Sequence, residues 1–268
     1  MFERFFRLRE NGTTVRREMI GGSATFMTMA YIIIVNPQLL SAEAGAGMDF
    51  GAVMAATCLS AAIGTLLMAF LANYPIALAP GLGMNAYFSF LICGQMGVPW
   101  PIALGIVFIT GVVFTVLTVV RAREMIVNAV PPPIKYAAAA GIGLFIAFIG
   151  LKDAGIVQDD PATLVALGDL HHPPTVLALF GLLATAALMA AKVRGAILWG
   201  ILVTGLAGIV TGLIQFTGVF ALPSLEPTFL KMRPLAALRV EYIVPIIVLL
   251  FFDMFDTIGT LIGVGEKA

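Results

Sequence analysis

Residues 244–264 read VPIIVLLFFDMFDTIGTLIGV. The stretch is long and apolar enough to cross a bilayer as a helix, since about 20 residues span the hydrocarbon core. It nonetheless carries two carboxylates, Asp253 and Asp256, near its middle. An ionised carboxylate at the centre of a membrane costs at least ~2.5–3.5 kcal/mol, so such a group is kept where it faces a partner, a ligand or water. The i, i+3 spacing puts both acids on one helix face. Gly259 and Gly263, beside Thr257 and Thr260, follow at one-turn intervals and let another backbone come close. Two readings arise. Either the acids belong to a transport or ion pathway, or they close a helix N-terminus or pair with a base elsewhere. Two acids in one span favour the pathway.

Composition agrees with a membrane setting. The chain has 268 residues, 60% hydrophobic and 11% charged, where a soluble domain has about 25% charged. Its mean hydropathy is +1.02. The fold class expected is therefore an all-α, multi-pass membrane protein. Fifteen basic and fifteen acidic residues cancel, which gives no field to attract nucleic acid. The 28 glycines and 15 prolines read here as close helix packing and broken helices. Cys58 and Cys93 lie in apolar segments without metal-ligand spacing, and His171 and His172 are adjacent in a Pro-rich loop, a poor zinc arrangement. The chain has no G-x-S-x-G, H-E-x-x-H, Walker lysine or Ser/His/Asp grouping. An enzyme, a metal site and an organic cofactor are accordingly not expected.

Eight spans are predicted: Ile20–Leu40, Phe50–Leu71, Ile76–Cys93, Pro101–Val120, Ile134–Leu151, Thr175–Ala191, Ala196–Phe216 and Tyr242–Val264. Before them, MFERFFRLRE sets Phe2, Phe5 and Phe6 on one helix face with Arg4 and Arg7 beside them, a pattern suited to a membrane surface or to a polar tail. With the arginine-rich N-terminus cytoplasmic, the positive-inside rule orients the chain. The loop with Glu43 and Asp49 is then outside, and that with Arg121, Arg123 and Lys135 inside. Asp153, Asp159, Asp160 and Asp169 fall outside, and Lys192 and Arg194 inside. Lys231, Arg233 and Arg239 run against the rule, and LKMRPLAALRVEY is a candidate interfacial helix.

The third span is the unusual one. YPIALAPGLGMNAYF, residues 74–88, places Pro75, Pro80, Gly81 and Gly83 within nine residues, too many breakers for a continuous helix. The expected form is an extended piece followed by a short helix starting near Gly83. The N-terminus of that helix aims N–H groups and a positive dipole end at a ligand. Asn85 falls in its first turn, with an amide that can donate and accept. The alternative is a Pro-Gly turn between ordinary helices with Asn85 as a cap. In the first span, Thr25 and Thr28 either line a polar seam or bond the preceding turn. Gly141 and Gly143 read as tight helix packing, not as a phosphate loop.

Four segments carry a family likeness: TTVRREMIGGSATFMTMAYIIIVNPQLL, ALAPGLGMNAYF, KYAAAAGIGLFIAFIGLKDAGIV and FFDMFDTIGTLIGVGEKA. Together they resemble the azaguanine-type purine permeases of the nucleobase–cation symporter 2 family, which is related to the xanthine/uracil permeases. The resemblance implies a fold of two inverted seven-span repeats, with the third span half extended and half helix. It also implies a purine nucleobase bound between the third, eighth and tenth spans, with a proton as coupling ion.

Carried onto this chain, the resemblance makes Asp256 the base-binding acid and Asp253 the second candidate. Asn85, with the backbone near Ala86 and Tyr87, is the third-span side of the site, and Thr28 a first-span contributor. By the same resemblance, 1–19 is a cytoplasmic amphipathic segment, 20–133 core spans one to four, and 134–216 gate spans five to seven. An extracytoplasmic linker, 217–241, precedes the eighth span at 242–268. The cell (inner) membrane and a homodimer are expected. The sequence stops just after the eighth span, so the family's tenth-span acid is absent from it. A C-terminally truncated chain, not competent to transport alone, is the expectation. An anion carrier or cation channel of related fold is the alternative, with a membrane-embedded enzyme the weaker one, and Asp256 speaks against the anion carrier.

Overall fold

The computed structural model of the chain describes residues 6, 8, 10, 12–42, 45–74, 76–122, 125–126, 131–193, 195–215 and 224–265, with the backbone alone at 132, 135, 136, 138, 139, 142 and 258–265. The sequence features at Phe2, Arg4, Phe5, Arg7, Glu43, Pro75, Arg123 and Arg194 therefore lie outside the described residues, as do the side chain of Lys135 and those around Gly259 and Gly263.

The described chain is mostly helical, and each of the eight expected spans has a helical counterpart. The first comprises α1 (Val15–Met29) and α2 (Ile32–Ser41). Thr14 caps α1 by accepting from the Arg17 amide at 3.3 Å, and Glu18 follows in the first turn, where an acid suits the helix dipole. α3 (Phe50–Leu67) runs on as a π-helical turn, Met68–Ala72. Then come α4 (Leu82–Ala86, continuing as a π-helix over Tyr87–Gln95), α5 (Trp100–Val119) and α6 (Pro132–Asp153). α7 (Pro173–Ala190), α8 (Ala196–Val210) and α9 (Ile243–Gly265) complete the helices. Val15–Ser41, Phe50–Ala72, Trp100–Val119 and Pro173–Ala190 are each long and apolar enough to cross a membrane.

The third span is interrupted. Asn73 turns the chain through φ +53°, and the described residues from there to Gly81 form no helix or strand until α4 begins at Leu82. A backbone without regular structure in an apolar setting needs partners for its polar groups. Thr65 supplies some: its hydroxyl accepts from the Leu78 amide at 3.0 Å and donates to the Leu78 carbonyl at 3.3 Å.

Four expectations are corrected. The first span is two helices separated at Ala30–Tyr31, and the second contains Pro37, which cannot donate to the helix ladder. The seventh span's helix stops at Val210, just ahead of Gly212 at φ +74°, and so ends short of Phe216. LKMRPLAALRVEY forms 3-10 turns at Leu235–Ala237 and Val240–Tyr242 in place of an interfacial α-helix. Finally, the mostly helical fold carries one small β element. The acidic loop after α6 folds into an antiparallel hairpin of β1 (Val157–Asp160) and β2 (Leu164–Leu167), with Val157 opposite Leu167 and Asp160 opposite Leu164.

The hairpin turn is built by Asp160, whose carboxylate accepts from the amides of Ala162 (2.8 Å) and Thr163 (2.9 Å). The Thr163 backbone bond, then that of Ala162 and the Thr163 hydroxyl, hold this carboxyl below the usual range. A depressed folded value means that the turn's stabilisation is complete above the unfolded value of about 3.9 and is lost as pH falls through the folded one. Protection of the Ala162 and Thr163 amides, relative to their intrinsic exchange rates, is expected to fall below about pH 4, at the acid side of that range, and Asp160→Asn to remove this pH dependence.

The chain divides into two compact units, 1–33 with 60–79 and 147–222, and 34–59 with 80–146 and 223–268. In the first, α7 and α8 pack through reciprocal glycine–threonine contacts. Gly181 faces Thr204 and Gly200 faces Thr185, each threonine bonding back to its own helix, Thr185 to the Gly181 carbonyl and Thr204 to the Gly200 carbonyl.

The second unit has a core of Ala46, Met48, Val53, Phe88, Ile92, Val98, Ala103, Ile106 and Leu249. Buried Ser89 ties the continuation of α4 to α2 and to the segment after it, donating to the Leu39 carbonyl (2.6 Å) and accepting from the Ala46 amide (3.1 Å). The segment before α9 lies tightly on α5, where the Arg233 amide donates to the Pro101 carbonyl at 2.8 Å. A Cβ on Gly105 would stand 2.6 Å from the Arg233 carbonyl oxygen, a backbone atom that cannot swing aside. Gly105→Ala is expected to destabilise the protein by ~1–3 kcal/mol, the usual range for overpacking, read as a lowered thermal midpoint in detergent.

Candidate functional site

The second unit holds the site. The irregular run ends at Gly81, which has ordinary extended dihedrals (φ −77°, ψ 114°), and the chain then turns directly into α4. The first amides of a helix have no carbonyl partner within it, and the first backbone bond here is from the Asn85 amide to the Gly81 carbonyl (3.1 Å). α9 brings Asp256 to this point. Its Oδ2 would lie 2.9 Å from a Cβ built on Gly81, with the Met84 Cε at 3.0 Å. A cleft of about 80 Å³ opens there, lined by Leu82, Gly83, Met84, Ile146, Phe252 and Asp256. Water needs about 10–15 Å³ on this measure, so the cleft has room for several molecules.

The sequence-derived candidates divide. Asp256 lines the cleft and meets the start of α4. Asp253, one turn earlier, is half-buried and off the lining. Ala86 is fully buried in the packing of α4. Tyr87 is off the lining and sets its ring edge-on to Phe252, with centroids 5.6 Å apart and planes at 67°. Asn85 is engaged elsewhere, donating through its side-chain amide to Asn36 on α2. Thr28 belongs to the other unit, and its hydroxyl donates to the Thr25 carbonyl at 2.7 Å. That is the local bonding which the sequence leaves open for threonines in this span.

Sequence reasoning misses Phe252, Met84 and Ile146. Phe252 has a signal, because it lies four residues before Asp256 and thus on the same helix face. Ile146 has none, since only tertiary packing brings α6 to the cleft. Among the described residues, no cluster of three or more His, Cys, Asp or Glu is placed to hold a metal ion. The cleft instead offers a carboxylate acceptor, backbone N–H donors and one aromatic ring. This set suits a small flat heterocycle carrying both N–H and acceptor groups on its edge.

Known proteins resemble the chain in sequence. Residues 16–268 match the Permease family of xanthine/uracil permeases. A protein of Methanocaldococcus jannaschii that carries the name permease is 52% identical over 268 residues, 99% of this chain and 61% of its own length. The guanine/hypoxanthine permease PbuG of Bacillus subtilis is 43% identical over 98% of this chain and 62% of its own. The adenine permease AdeP of Escherichia coli is 39% identical over 100% and 60%, respectively. The chain thus spans about three fifths of the length of these relatives. The match over nearly all its residues establishes that the chain belongs to the xanthine/uracil permease family, a family of multi-pass membrane permeases and not of enzymes.

Proposed function

We propose that the protein is a secondary active transporter that takes up purine nucleobases such as adenine, guanine or hypoxanthine together with a proton. The observation that carries this reading is the Asp256 carboxylate set against the start of α4 beside Phe252. The relatives named as guanine/hypoxanthine and adenine permeases support the substrate class.

In this reading Asp256 accepts a hydrogen bond from a ring N–H. The first amides of α4 donate to an acceptor on the base, and the Phe252 ring covers one face of the heterocycle. A carboxylate in such a place can also carry a proton, so one group serves base and coupling ion together. Asp253, Asn85, Ala86 and Tyr87 frame the site behind these contacts. The spans of 20–133 and 242–268 act as a core that carries the base, and 134–216 as a gate. The protein works in the cell membrane with its N-terminus in the cytoplasm, as a homodimer.

Uptake of radiolabelled hypoxanthine, adenine, guanine and uracil by cells that make the full-length protein and lack other base carriers tests the proposal. A purine is expected to accumulate against its gradient, and a protonophore to abolish the accumulation. Uptake of uracil alone, or accumulation indifferent to the proton gradient, would overturn it.

A further inference from the structure

A chain of side-chain hydrogen bonds runs from the first turn of α4 into the interior of the second unit. Asn85 donates to Asn36 Oδ1, Asn36 Nδ2 donates to Thr57 Oγ1 at 2.9 Å, and Thr57 Oγ1 donates to the Val53 carbonyl at 2.7 Å. Asn36 and Thr57 are 3% and 2% exposed, so water cannot replace a missing partner. The direction of the chain is fixed from its far end. A hydroxyl has one proton, and Thr57 gives it to the Val53 carbonyl. It must therefore accept from Asn36, which obliges Asn36 to show its amide NH₂ to Thr57 and its oxygen to Asn85. Asn85 in turn can meet that oxygen only as a donor. Three elements, α2, α3 and α4, are locked in one register by this sequence of donors. None of Asn36, Thr57 and Asn85 lines the cleft.

We infer that Asn36 and Thr57 are positioning residues, which hold the start of α4 against Asp256 by fixing the Asn85 amide. The inference rests on the reading that the cleft takes the base. It gives Asn85 the role of an anchor for the helix and not of a direct base contact.

The test uses the full-length protein and pairs a transport readout with one that needs no substrate. Thr57→Val keeps the shape of the side chain and removes the hydroxyl, whereas Thr57→Ser restores it. Loss of one buried hydrogen bond is worth about a fivefold change. Thr57→Val and Asn36→Ala are each expected to raise KM for the purine about fivefold on that basis with kcat held, and Thr57→Ser to return it to the wild-type value. The double variant Asn36→Ala/Asn85→Ala should match the worse single variant, because both break one link.

In the substrate-free protein, hydrogen exchange at the amides of Asn85 and Tyr87 should accelerate in Thr57→Val while buried amides of α5 do not change. Unaltered exchange at Asn85 and Tyr87 in both Thr57→Val and Asn36→Ala would overturn the inference whatever the substrate. So would additive losses in the double variant, which would make Asn85 a base contact. If the wild-type protein takes up no purine, the transport reading fails, and the exchange measurement still decides whether the relay holds α4.

Discussion

Asp256→Asn is expected to abolish concentrative purine uptake while leaving the protein folded and in the membrane. Asparagine has the size of aspartate, so the packing of α9 beside the start of α4 survives. What changes is chemistry at one atom. A charged acceptor becomes an amide that is neutral and half donor, facing the first amides of α4. A hydrogen bond to a charged group contributes about 1.5–3 kcal/mol, and about 1.4 kcal/mol is a factor of ten in affinity. Binding should therefore weaken by roughly ten- to a hundredfold on that scale.

Coupling should be lost more completely than binding, because an amide does not carry the proton. Asp253→Asn is expected to impair uptake less, since Asp253 stands off the cleft lining. Labelled hypoxanthine accumulation, with and without a protonophore, separates the two variants. Wild-type accumulation in Asp256→Asn would remove that residue from the mechanism.

How much of the fold and of the cleft is legible in the sequence depends on what kind of signal each feature leaves. Acids inside an apolar stretch are conspicuous because the membrane penalises them, so the residues alone point to Asp253 and Asp256 together, and only the family resemblance ranks Asp256 first. Breakers are conspicuous too: the prolines and glycines of 74–88 announce an extended run and a restarted helix, and α4 begins one residue from the position expected. Asn36 shows the limit of such reading. It is visible as a polar residue in the first span, but its bonds to Thr57 and Asn85 join three elements across distances of 21 and 49 residues in the chain. No local pattern encodes that junction. The hairpin at 157–167 escapes for another reason. The charges of an acidic loop speak only for the side of the membrane it faces, although the turn chemistry of Asp160 is present in DDPAT. Asn85 points to a ligand in the sequence because an amide at a helix start suits one. The same amide suits a neighbouring helix equally well, and the identity of the partner is a tertiary fact.

Gly81→Ala should damage binding without damaging the fold. The backbone at Gly81 is extended, with φ at −77°, so alanine adopts it without strain. The new methyl would lie 2.9 Å from the Asp256 Oδ2 and 3.0 Å from the Met84 Cε. Both are ends of flexible side chains and can rotate away, in contrast with the carbonyl that meets Gly105. The relief therefore comes from moving the carboxylate off the start of α4, where it is needed, and crowding the mouth of the cleft. Exchange of glycine for alanine at the N-cap costs about 0.5–1 kcal/mol by the scale of cap preferences, small beside the stability of the whole fold. The thermal midpoint should stay close to wild type, while KM for the purine rises at least about tenfold, the scale of one displaced charged hydrogen bond. The double variant Gly81→Ala/Asp256→Asn should be no worse than Asp256→Asn, because the carboxylate that the methyl displaces is already gone. A Gly81→Ala protein that melts early yet keeps its KM would show the glycine to be a matter of packing, and would separate Asp256 from the start of α4 as parts of one site.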